Sequence, residues 1–124
     1  MKERQKETPQ ASLDVAELLV RVENDRKLLR ELLMIGKEDL PKHMRSLREA
    51  VESSDGKSVT SAAHTLKGML ANLSANRASD VAAQLERMGR RGEKAGLEEV
   101  LVLLEREALR VLQEVEHCMT GVGG

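Results

Sequence analysis

Apolar residues recur along most of this chain every three to four positions, which is the period of an amphipathic helix and not of a strand. Between about Ser12 and Arg21, the residues Leu13, Ala16, Leu19 and Val20 form a short inward stripe. Asn24 or Asp25 is placed to cap a second helix, where Leu28, Leu29, Leu32, Leu33 and Ile35 make a wide stripe. Gly36 and Pro41 interrupt it before Leu40, Met44, Leu47 and Val51 resume it, so that one kinked helix and two abutting helices are both compatible. Ser53-Ser54-Asp55-Gly56 reads as a turn whose polar side chains cap a third helix carrying Val59, Ala62, Ala63, Leu66, Met69, Leu70 and Leu73. Asn76 is placed to cap a fourth, with Asp80 in its first turn and Arg87, Arg90 and Arg91 in its last, as the helix dipole favours. Gly92 and Gly96 bracket a turn into a last helix from about Leu97 to Met119, with Leu101, Leu104, Ala108, Val111, Val115 and Cys118 in phase. Short links make neighbouring helices antiparallel. The pattern predicts an all-α fold, an antiparallel up-down-up-down four-helix bundle over residues 12–120 with a short N-terminal lid helix. Residues 1–11 read as a polar tail or linker, and 121–124 as a flexible tail after a helix stop at Thr120-Gly121.

Composition narrows the function. A chain of 124 residues is one domain's worth. It is 40% hydrophobic yet has no Phe, Tyr or Trp, so its core is aliphatic and base-stacking nucleic-acid modules are excluded. Twenty basic residues against 21 acidic give a net charge of −1, with no global pull toward nucleic acid or anionic membranes. One Cys forms no internal disulfide and no thiolate metal site. No apolar run approaches the roughly 20 residues that span a bilayer, and the start MKERQKETPQ is no signal peptide. A cytoplasmic monomer is expected, without membrane insertion.

The third helix holds the residue that does not belong to the core. At about 100° per residue, His64 falls roughly 160° from the centre of the apolar face and points to solvent. Its helical neighbours are Lys67, Gly68 and Ala71. A glycine within a helix costs about 1 kcal/mol relative to alanine and usually has a packing or functional reason. Gly68 and Ala71 leave a bare patch beside the imidazole, and Lys67 adds a positive charge within reach of anything attached to the ring. An exposed histidine with a tolerated glycine is the bland alternative.

His64-Thr65-Leu66-Lys67-Gly68, followed by Ala71-Asn72-Leu73 and Ala75, resembles the phospho-acceptor helix of the histidine phosphotransfer (HPt) family, whose members read H-x-L-K-G. Ala62-Ala63, Ala82-Ala83-Gln84-Leu85-Glu86 and the stretch from Asn24 to Leu33 are similar too, and the likeness spans roughly residues 12–118. The resemblance implies a phosphorelay carrier: His64 accepts a phosphoryl group from a receiver aspartate and passes it to another receiver. Lys67 then offsets phosphate charge and Gly68 gives the partner room. The partners implied are response-regulator receiver domains and a sensor histidine kinase. No cofactor is needed beyond Mg²⁺ on the partner receiver. Similarity to the chemotaxis-kinase branch adds Glu86, which would orient the imidazole; a solvated flank of the fourth helix is the alternative for that residue. Met69, Leu70 and Ser74 depart from the family pattern without removing a chemical group that transfer needs.

Other candidates read blandly. His43 and His117 lack partner motifs and read as surface residues, and three scattered histidines make no zinc site. Cys118 reads as a buried structural thiol. Arg87, Arg90, Arg91 and Lys94 form a basic patch at a helix end. No hydrolase elbow, P-loop or dinucleotide fingerprint is present. A sensor-kinase dimerisation helix would carry an acidic residue and a proline where Thr65 and Met69 stand. The phospho-acceptor domain of a chemotaxis-like kinase and a helical interaction module without phosphoryl chemistry stay open.

Overall fold

The structure is a computed structural model and describes residues 12–123. The expected tail at 1–11 lies outside the described residues. Five helices follow one another: α1 (Val15–Arg21), α2 (Arg26–Glu52), α3 (Gly56–Asn72), α4 (Asn76–Arg91) and α5 (Leu97–Gly123), with no strand among the described residues. Aspartates start three of them. Asp14 accepts from the Glu17 N–H, Asp25 from Lys27 and Leu28, and Asp55 from Lys57 and Ser58, each filling donors that a helix start leaves unpaired.

The fourth start differs from the sequence expectation. Ala75 occupies the cap position without a side-chain bond, and Asn76 is already helical, its amide donating to Glu17 at 3.3 Å. The chain reverses at Ser74, whose φ is 58°, so helical backbone begins one residue too early for Asn76 to cap it. The last helix also runs to Gly123, past the stop expected at Thr120-Gly121. Glycine there weakens a final turn without forbidding it.

α2 is a single helix with Pro41 inside it, which decides between the two arrangements left open by sequence. Its inward line is Leu29, Leu33, Gly36, Leu40 and Leu47. Leu28 and Ile35, expected inward, lie on the flanks of that line and are exposed. Gly36 has a packing reason, since a Cβ there would stand 2.8 Å from the Leu73 side chain. In α1 only Leu18 is buried, with Leu13 and Val22 buried just before and after the helix, while Ala16 and Val20 face water, contrary to expectation. A helix of two turns has only one narrow buried line, and Leu18 takes it.

α2 packs on α3 and α5, and α4 packs on the same two helices, so four helices enclose one aliphatic core. Ser12 and Leu13 donate their N–H groups to Glu114 on α5 at 2.9 and 2.7 Å, and the Asp14 N–H donates to the Ser74 carbonyl. Arg48 ties α2 to α5 with two bonds to Glu105, at 2.7 and 2.9 Å. Glu98 and Glu52 complete its shell.

The tightest approach is between α3 and α4. A Cβ on Gly89 would lie 2.9 Å from the Thr60 nitrogen and 3.0 Å from the Gly56 carbonyl oxygen, so backbone meets backbone there. Farther along, the Ser79 hydroxyl donates to the Lys67 carbonyl at 2.9 Å. Rising numbers in α3 meet falling numbers in α4, so this pair is antiparallel and pinned at two points. Gly89→Ala should therefore lose about 1–3 kcal/mol in urea denaturation, as overpacking does. A loss below about 0.5 kcal/mol would show that the helices separate at little cost.

Candidate functional site

The pinned α3–α4 pair brings one residue of each helix together. His64 stands on α3 with its side chain 67% exposed, and its Nδ1 lies 2.9 Å from Oε2 of Glu86 on α4. Glu86 is only 5% exposed, so the alternative of a solvated flank is overturned. Its register explains this: Ala82, Leu85, Glu86 and Gly89 share the inner side of α4, against the small residues of α3.

A buried carboxylate is costly unless its lone pairs are filled. Here Lys67 donates to Oε1 at 2.8 Å, and Arg90 donates to Oε2 at 2.9 Å. The Lys67 bond does most to hold the Glu86 carboxyl below its ordinary value of 4.5; burial pushes the other way, and the His64 bond adds to the lowering. Glu86 is thus ionised at neutral pH.

Ionisation fixes the chemistry of the ring. A carboxylate only accepts, so in the neutral imidazole the bonded Nδ1 carries the hydrogen. Nε2 then holds the free lone pair, on a ring that is two-thirds in water. The arrangement makes an oriented nitrogen nucleophile. Beside it runs an open groove of about 900 Å³ between α3 and the end of α4, whose lining includes Lys57, Ser61, Thr65 and Arg91.

The other sequence candidates fall as follows. Lys67 does not reach freely into solvent as expected; it is engaged by the buried carboxylate of Glu86 on the facing helix. Gly68 is exposed, and a Cβ added to it would meet nothing within 4 Å, so packing does not require glycine there. His43 is half-buried and His117 is exposed. Cys118 is half-buried, and burial pushes its thiol up, away from reactivity. Among the described residues no group of three His, Cys, Asp or Glu side chains is placed to hold a metal ion.

Sequence reasoning missed two contributors. By sequence Arg90 reads as part of a basic patch, though its spacing of four from Glu86 is the helical pairing distance. Gly89 carries the same signal as Gly68, a glycine inside a helix.

The Hpt domain family model matches residues 31–118 of the chain. No curated protein matches it. Among solved structures, the crystal structure of histidine-containing phosphotransfer protein B (HptB) from Pseudomonas aeruginosa PAO1 is similar, with 25% sequence identity and a TM-score of 0.83. The alignment covers 90% of this chain and 97% of that one.

The depressed Glu86 carboxyl makes a pH prediction. Its folded value lies below the ordinary 4.5, so its stabilisation is fully present above 4.5 and is lost as pH falls through the folded value. Glu86→Gln should cost about 1.5–3 kcal/mol at pH 7, the range for hydrogen bonds to charged groups. That difference from the parent should shrink on acidification below 4.5 in urea denaturation. Parallel stability curves down to acid would mean that Glu86 gains nothing from its ionisation.

Proposed function

The chain belongs to the Hpt domain family, whose members are phosphotransfer carriers and not kinases and work with kinases and response regulators in phosphorelays; on that premise we propose that His64 is its phospho-acceptor. The observation that carries this is the exposed ring held through Nδ1 by a buried, ionised Glu86. The phosphoryl donor is a receiver aspartyl phosphate and the next acceptor is another receiver. The five helices serve this as an up-down-up-down bundle of α2 to α5 with α1 as its lid, in a cytoplasmic monomer.

The step follows from the tautomer. Nε2 attacks phosphorus with its lone pair, the bond from phosphorus to the aspartyl oxygen breaks, and the aspartate leaves with that electron pair. Nδ1 keeps its proton throughout, so the phosphorylated ring is formally cationic. Glu86 stabilises that cation, as it cannot stabilise the neutral ring to the same degree. When the group moves on, the P–N bond breaks, its electrons return to the ring and a neutral imidazole leaves. Lys67 keeps Glu86 ionised and offsets the added phosphate charge. Mg²⁺ belongs to the receiver's acidic site, and this chain needs no cofactor of its own.

The Glu86 contact also favours a second reading, the phospho-acceptor domain of a chemotaxis-like kinase, where the donor is ATP on a kinase domain. Labelling by a phosphorylated receiver as against a kinase with ATP separates the two.

His64→Gln should fold like the parent, since the side chain is mostly in water, and should accept no label from a phosphorylated receiver. The parent's label should be acid-labile and base-stable, as a phosphoramidate is. Undiminished label on the variant would overturn the assignment.

Gly68 separates docking from backbone. Gly68→Ala should gain roughly 0.5–1 kcal/mol of stability. Gly68→Arg should fold at least as well as the parent and yet lose transfer, because reacting atoms must approach to about 3 Å and the arginine covers the bare side of the ring. Thermal unfolding and transfer rates on the same protein check both; normal transfer by the arginine variant would place docking elsewhere.

A further inference from the structure

Arg90 binds the same carboxylate oxygen as the His64 ring. Its guanidinium lies 2.9 Å from Glu86 Oε2, the distance at which Nδ1 also sits, whereas Lys67 takes the other oxygen. We propose that Arg90 is a positioning residue for the transfer: by occupying the ring's own carboxylate oxygen, it keeps Glu86 from drawing a second proton onto the imidazole. This rests on His64 being the acceptor.

A carboxylate beside an imidazole does two things. It orients the ring, and it favours the imidazolium, in which a proton fills the Nε2 lone pair and ends its nucleophilicity. The first helps the transfer and the second opposes it near neutral pH. A cation on the same oxygen cancels much of the second effect and leaves the first intact. Lys67 lies on the far oxygen and is needed to hold Glu86 ionised, so Arg90 is the cation placed to act on the ring. It stands in the last turn of α4, where the helix dipole favours a positive charge, one turn after Glu86. The remaining charged groups along the groove are Arg91 from α4, with Lys57 and Asp55 at its far end. α2, which also packs on α3, contributes nothing to that lining among the described residues.

The test reads the ring directly and then its reactivity. The His64 ring protons are titrated by NMR at low salt in the parent, Arg90→Gln and Arg90→Lys. Arg90 is 61% exposed, which limits the effect by solvent screening. Its loss should raise the titration midpoint by about 0.5 on the pH scale, and lysine should restore most of the parent value. The same proteins are then phosphorylated with phosphoramidate, which needs no partner: Nε2 attacks phosphorus and ammonia leaves with the electrons of the broken P–N bond. Below the midpoint, Arg90→Gln should react up to about threefold more slowly than the parent; above it, no more slowly, since the unscreened carboxylate then only favours the phosphorylated ring. A rate lowered equally at all pH would mean a structural role, and coincident midpoints would overturn the proposal. If the parent itself takes no phosphoryl group on His64, the acceptor assignment fails instead, a result that the ring titration does not share.

Discussion

The site depends on one buried charge. Glu86 sits almost wholly inside the protein and is ionised, a state that water would support and a protein interior does not. Three donors make it tolerable, and they come from two helices: His64 and Lys67 from α3, Arg90 from α4 itself. A buried ion cluster of this kind adds little net stability compared with an apolar packing, but removing one member leaves the others unmatched. Its use is geometric. It fixes which nitrogen of an exposed ring is free.

That geometry needs the helices close and in register. Gly56 and Gly89 let the backbones of α3 and α4 touch at one end, and Ser79 holds the Lys67 carbonyl at the other. Lys67 is thus anchored twice, by its carbonyl to Ser79 and by its ammonium to Glu86. Packing, capping and chemistry meet on this helix pair, while α2, α5 and the Arg48 cluster close the far side of the core. The packed helices thus hold the His64 ring in one orientation.

Much of this was legible in the residues. Period and punctuation placed every helix, and Asp25, Asp55, Gly92 and Gly96 stand where turn chemistry puts them. The outward aim of His64 followed from helical phase alone. Phase failed where a helix is short or a stripe is wide: Val20 and Ile35 look inward by spacing, but the core already had Leu18 and Leu33 in those places. Asn76 failed as a cap because the link through Ser74 is tighter than its sequence indicates. The burial of Glu86 was illegible for a deeper reason. A glutamate among alanines is solvent-facing by default, and only the contact with α3, made close by Gly89 one turn on and by Gly56 on the facing helix, turns it into a core residue. The same contact converts Lys67 from a free charge to a bound one.

The central claim is that Glu86 selects Nε2 as the reactive atom, and ¹⁵N NMR of the His64 ring tests it most directly. In the neutral, unphosphorylated protein the ¹⁵N shifts should report hydrogen on Nδ1 and a bare Nε2, and in the phosphorylated protein ³¹P should couple to Nε2 with hydrogen still on Nδ1. A neutral ring carrying its hydrogen on Nε2, or phosphorus bonded to Nδ1, would contradict it.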